Sequence, residues 1–245
     1  MNYIRTGSGQ PLVLLHGFPL DNSIWNPLLP HLESHFDLIL PDLPGLGRSL
    51  LFTEDCHLSD MAAALTDLLR GLGLPRAFLA GHSMGGYVAL AFARQSPEIL
   101  LGLGLIATQA LPDTPERQAA RQQTAAEVAA KGPGVVADAM AAKLSANPAH
   151  EALLRELILR QPVPGIVNAL KAMAARPDST DLLPGLTCPV GIVHGLADAL
   201  IPPERAREMK SLLPKASLTE LPGVGHMPML EAPAETAQAL QALAS

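Results

Sequence analysis

Short, almost unbroken apolar runs that end in glycine-rich loops recur along this chain, and they limit it to few folds. Residues 11–15, 36–40, 76–80, 100–107 and 190–193 are strand-length runs, most of them too apolar to face water on either side. Strands buried on both faces belong to parallel sheets covered by helices. The intervening segments carry helical spacing. Asp21 to Glu33 bears Ile24, Leu28, Leu29 and Leu32, with Pro27 and Pro30 making it irregular. Ser59 or Asp60 caps a helix that places Leu58, Met61, Leu65, Leu68 and Leu72 on one face and stops at Gly71 and Gly73. Met84 to Arg94 reads as a helix apolar almost all round. A helix from Pro203, a strand at 217–221 and a last helix near Pro233 complete the alternation. At the amino end, residues 2–6 form one more β run, joined to 11–15 by Gly7-Ser8-Gly9, which is hairpin turn chemistry. The pattern predicts an α/β fold, a mostly parallel sheet with helices on both faces, whose sites form beyond the carboxyl ends of the strands.

From Thr108 to about Pro184 the strand pattern stops and the sequence turns alanine-rich and helical, broken at Gly132-Pro133-Gly134 and Pro162-Val163-Pro164. We read this as an insertion: a core of residues 1–107 and 185–245, and a helical cap of residues 108–184. Apolar stripes on the insertion, such as Leu153, Leu154, Leu157 and Ile158, or Ile166, Leu170 and Met173, roof something rather than bind a cofactor.

Charge and composition remove several function classes. The net charge is −6 and no basic stripe exists, which argues against a nucleic-acid partner. No apolar run is long enough to span a bilayer, so no membrane association is expected. The amino terminus enters a strand without the pattern of a signal peptide. Cys56 and Cys188 lie far apart without metal-ligand spacing and read as free thiols in a reducing cytoplasm. Nothing in the sequence speaks to the oligomeric state.

The chemistry centres on Gly81-His82-Ser83-Met84-Gly85-Gly86, where an apolar strand meets a helix. Glycines at the positions flanking Ser83 permit a sharp turn that lifts its hydroxyl clear of the sheet, the G-x-S-x-G elbow. A serine hydroxyl needs a general base, and the base needs an orienting group. Of the histidines, His31, His35, His57 and His150 sit in polar or helical contexts. His16 and His194 precede glycines at strand ends, where a packed, hydrogen-bonded role fits, and His82 should turn away from its neighbour. His226, in the loop after the final strand, is the best base. Asp198, just beyond the preceding strand, is the best orienting acid, with Asp113 a distant second. The backbone N–H groups of Met84 and of Phe18, in the His16-Gly17-Phe18-Pro19 loop, are the natural donors to an oxyanion. Trp25, Met140, Ile166, Met173 and Met227 are assigned to the substrate pocket, although Trp25 reads equally well as a packing residue. The turn-rich stretch Pro41 to Ser49 satisfies neither phosphate-loop pattern and reads as structural.

Five motifs together resemble the α/β-hydrolase superfamily, in particular its small esterases with a helical cap. They are His16-Gly17-Phe18-Pro19, Asp42 to Ser49, Gly81 to Gly86, His194 to Asp198, and Gly225-His226 followed by Glu231-Ala232-Pro233. The resemblance implies Ser83, Asp198 and His226 as a catalytic triad, a cap over the pocket, no cofactor and no metal. It also implies an eight-stranded sheet whose second strand is antiparallel. Because the chain begins at what looks like that second strand, about seven strands are expected. The implied reaction is carboxylic ester hydrolysis on a small to medium apolar substrate. Enol-lactone hydrolysis and carbon–carbon bond hydrolysis of aromatic catabolism are alternatives within the superfamily, and a small-molecule receptor on the same fold is an alternative of another class.

Overall fold

A computed structural model describes residues 1–53 and 55–244. Its sheet contains β1 (Tyr3–Gly7), β2 (Gln10–Leu15), β3 (Phe36–Pro41), β4 (Ala77–His82), β5 (Leu100–Ile106), β6 (Val190–Gly195) and β7 (Ser217–Leu221). The strand order is β1-β3-β2-β4-β5-β6-β7, seven strands among the described residues. Every pairing is parallel except that of β1 with β3. The antiparallel strand therefore lies at one edge, and the most apolar strands lie inside. All six residues of β4 and of β6 are buried.

The hairpin expected at the amino end does not form. β1 and β2 flank β3, with Gly7 opposite Asp37 and Gln10 opposite Phe36, so Gly7-Ser8-Gly9 steps across the start of β3. Gly7 and Gly9 have φ of 82° and 123°, and a Cβ on either would collide with the backbone at 33–36. The glycines are needed for a crossing and not for a two-strand turn. A tight turn specifies only that the chain reverses; which strand it reverses against is decided by β3, which has both its sides filled.

The helices are α1 (Leu29–Leu32), α2 (Leu58–Gly71), α3 (Met84–Gln95), α4 (Pro115–Lys131), α5 (Gly134–Leu144), α6 (Glu151–Leu159), α7 (Val163–Ala174), α8 (Glu204–Leu212), α9 (Pro228–Glu231) and α10 (Pro233–Gln241). The irregular helix expected at 21–33 is a 3-10 turn over Asn22–Leu28 followed by the single turn of α1, as Pro27 and Pro30 so close together require. α2 starts two to three residues earlier than Ser59 or Asp60 would cap it. Asp60 instead reaches back from the third helical position and accepts the N–H of His57 at 2.8 Å. Its end is as expected, with Gly73 at φ 68° just past the last turn.

α4 to α7 all lie between β5 and β6. Within this segment α4 packs on α7 and α5 on α6. Polar clamps fasten it to the strand-end loops. Gln161 accepts the Gly47 N–H at 2.8 Å and donates to Asp21 at 2.8 Å. Asn168 accepts the Cys56 N–H and donates to the Cys56 carbonyl, both at 2.9 Å. No helix among the described residues is long and apolar enough to cross a membrane.

Candidate active site

Ser83 joins β4 to α3 with φ 52° and ψ −113°, a conformation that an L-residue adopts only under constraint and that costs roughly 1–3 kcal/mol. The constraint is steric and hydrogen-bonded at once. A Cβ on Gly81 would run into the Gly85 carbonyl, and one on Gly85 into the carbonyl of Leu15 on the neighbouring strand. The Ser83 N–H donates to the Ile106 carbonyl at 2.9 Å, while its own carbonyl accepts from the Thr108 hydroxyl at 2.8 Å and the Gly86 N–H at 2.9 Å. Helix α3 thus begins directly at Met84, whose N–H is among the first-turn donors that the helix itself leaves free. The Gly17-Phe18 backbone abuts the other side: a Cβ on Gly17 would lie 3.2 Å from the Cβ of Ser83.

The loops after β6 and β7 are stitched together by the Leu196 N–H to the Leu221 carbonyl and the Ala197 N–H to the Val224 carbonyl, both at 2.9 Å. They bring Asp198 and His226 together. His226 Nδ1 lies 2.7 Å from Asp198 Oδ2, and Asp198 Oδ1 accepts the N–H groups of Leu200 and Ile201 at 2.8 and 3.0 Å. Burial pushes the Asp198 carboxyl up, but His226 and the two backbone donors outweigh it and hold the carboxyl below its ordinary value. An ionised Asp198 requires the proton on Nδ1 and leaves Nε2 of His226 as an acceptor. The residue beside the serine touches this histidine, since His82 donates from Nε2 to the His226 carbonyl at 2.7 Å and the two rings are 4.9 Å apart.

Three further histidines are buried and neutral. His16 accepts the Leu43 N–H on Nε2 at 2.9 Å, so its Nδ1–H donates to the Gly17 carbonyl at 3.0 Å, tying the β2 loop to the β3 loop. His194 donates from Nε2 to the Ile201 carbonyl at 2.9 Å. Burial lowers the pKa of His16, His82 and His194, that of His82 to about 3. His82 does not simply turn away from the site; its ring is held between Trp25 and His226.

The second candidate acid is taken up elsewhere. Asp113 forms ion pairs with Arg117, Arg121 and Arg176, and Arg176 in turn lies 4.2 Å over the Tyr87 ring. Of the residues assigned to a pocket from the sequence, Trp25 is fully buried, edge-on to His82 at 6.5 Å. Ile166 and Met173 are buried on α7, Met140 is half-buried on α5, and Met227 is buried beside His226. The turn-rich stretch at 41–49 is structural: Asp42 accepts the N–H groups of Asn22 and Arg48, both at 2.9 Å. Among the described residues no group of three or more His, Cys, Asp or Glu could hold a metal ion.

Sequence reasoning missed Thr108, whose hydroxyl fixes the Ser83 carbonyl, and the Leu144 carbonyl at the end of α5, which accepts the His226 N–H at 3.0 Å. The position of Thr108 at the end of β5, next to the elbow strand, was the available signal. Leu144 had none.

Comparison with known proteins gives the family of the chain. A family model described as the alpha/beta hydrolase family matches residues 12–239. A pimeloyl-[acyl-carrier protein] methyl ester esterase of Nitrosomonas europaea is 30% identical over 97% of this chain and 97% of its own length. The dihydrolipoyllysine-residue acetyltransferase component of the acetoin cleaving system of Pseudomonas putida is 32% identical over 96% of this chain, which spans only 63% of that protein. The solved structure of a thermophilic esterase from Thermogutta terrifontis superposes with a TM-score of 0.95 at 39% identity, covering 98% of this chain and 91% of that one. A single model running from β2 into α10 takes in the serine elbow and both loops that meet at His226, and the chain belongs to the alpha/beta hydrolase family.

Proposed function

We propose that the protein is a serine hydrolase that cleaves carboxylic esters of small to medium apolar substrates through an acyl-enzyme. The observation that carries the reading is the 2.7 Å contact of Asp198 with His226 Nδ1, with His226 packed at 4.9 Å on the ring of His82, the residue before a serine held at φ 52°. In this reading His226 Nε2 takes the proton of Ser83 as its oxygen attacks the ester carbonyl. The N–H groups of Met84 and Phe18 hold the resulting oxyanion. His226 then returns the proton to the departing alcohol. Water repeats the sequence on the acyl-enzyme, releasing the acid and restoring Ser83. Asp198 keeps the tautomer and faces the imidazolium without itself taking the proton.

Residues 108–184 act as a cap, with Met140 on α5 and Ile166 and Met173 on α7 joining Trp25 and Met227 around an apolar acyl or alkyl group. Relatives named as esterases support ester cleavage. The free thiols of Cys56 and Cys188 support a cytoplasmic setting.

The test is steady-state hydrolysis of p-nitrophenyl esters from acetate to dodecanoate by the wild type and by Ser83→Ala. The expected result is turnover with a short- to medium-chain optimum, lost by at least a thousandfold in the variant. A wild type that stops after one turnover, or a Ser83→Ala variant that keeps its rate, refutes the reading.

A further inference from the structure

Glu231 closes α9, and its carboxylate takes no part in the chemistry proposed above. Its two oxygens collect three backbone N–H groups. Oε2 accepts from Gly225 at 3.0 Å and from Ala146 at 2.9 Å, and Oε1 accepts from Met227 at 3.2 Å. Gly225 and Met227 are the residues on either side of His226. Ala146 lies just past the end of α5, whose last residue, Leu144, accepts the His226 N–H. Gly225 permits the approach, since a Cβ there would stand 2.5 Å from the Ala146 nitrogen and 3.1 Å from Glu231 Oε1. One carboxylate thus fastens the loop after the last strand to Ala146, 85 residues before Glu231 in the chain.

Hydrogen bonds to an ionised acceptor are stronger and more directional than neutral ones. Asp198 holds the His226 ring at Nδ1, which orients the imidazole but does not place the backbone from which it projects. We propose that Glu231 is a positioning residue: it sets the backbone on both sides of His226 and ties it to the end of α5, so that the imidazole projects from a fixed place. The inference rests on His226 being that base.

The test compares Glu231→Ala and Glu231→Gln with the wild type on p-nitrophenyl acetate, with kcat and KM determined separately on active sites counted by a fluorophosphonate. Glu231→Ala, which removes all three acceptor contacts, should lower kcat by about ten- to a hundredfold, the effect of misplacing a reacting group by about 1 Å, with KM within about threefold. Glu231→Gln keeps one acceptor oxygen and should fall between. Amide hydrogen exchange should rise in Glu231→Ala at Ala146, Gly225, His226 and Met227 together while β4 keeps its protection. An unchanged kcat overturns the proposal, and so does exchange that rises across β4 as well, because the loss is then general unfolding. If Glu231→Ala fails to fold, Glu231→Gln carries both measurements. A wild type without turnover, or an active Ser83→Ala, defeats the hydrolase reading instead, and the exchange pattern still decides whether Glu231 fastens the loop.

Discussion

Acid should unfold this protein through its buried histidines, and His82 makes the effect measurable. Its ring is fully buried, donates to the His226 carbonyl, and keeps a pKa of about 3 in the folded chain. In the unfolded chain a histidine titrates near 6.5. Below that value the unfolded state binds a proton that the folded state refuses. Stability therefore rises with pH through this window and is lost as pH falls from about 6.5 toward 3. Between pH 7 and pH 5 the unfolded imidazole goes from mostly neutral to almost wholly charged, and His82 stays neutral. The corresponding loss is about 2 kcal/mol for this one group. It depends on the unfolded value alone so long as the folded value lies below about 4. His16 and His194, lowered in the same direction by burial, add to the loss. In His82→Gln the amide nitrogen can still reach the His226 carbonyl, but nothing titrates. Urea unfolding of both proteins at pH 7 and pH 5 should show the pH-dependent loss to be smaller in the variant by about 2 kcal/mol, whatever constant offset the substitution adds. A loss equal to that of the wild type within about 0.5 kcal/mol would refute the argument.

Two further substitutions probe the site and its supports. In Asp198→Asn the N–H groups of Leu200 and Ile201 continue to hold the oxygen at the Oδ1 position, so the amide NH2 faces His226 and forces the proton onto Nε2. The expected cost is on the order of 10⁴ in kcat with the fold kept, and a steady-state rate within about tenfold of the wild type would contradict it. Asn168→Ala removes the partner of both the N–H and the carbonyl of the buried Cys56, and urea unfolding should show a loss of about 2–4 kcal/mol. A loss under about 0.5 kcal/mol would mean that water replaces the side chain.

Much of the architecture is legible residue by residue, because it depends on features local in the chain. The apolar runs at 76–80 and 190–193 are expected inside a sheet, and the strands they give, β4 and β6, are buried throughout. Ser83 between glycines at a strand end is readable as an elbow once the other strand-end motifs accompany it, and the folded chain gives the reason for the glycines, since a side chain at either position would meet the backbone of the turn itself or of the adjacent strand. Asp198 and His226 are readable because strand ends on one edge of a parallel sheet converge whatever the details of packing.

What the tertiary structure decided is partnership between segments distant in sequence. Gly7-Ser8-Gly9 has the residues of a hairpin, but the sides of β3 settle which strands it separates. Asp113 has the residue type and the strand-end position of a catalytic acid, and three arginines, two from α4 and one following α7, claim it instead. Asp42 and Asp21 become anchors, and Leu144 and Glu231 come to hold the backbone of His226. A side chain's own chemistry is written in its identity and its neighbours along the chain. Which donor or acceptor satisfies it once buried depends on what packing brings within 3 Å, and that is a property of the fold as a whole.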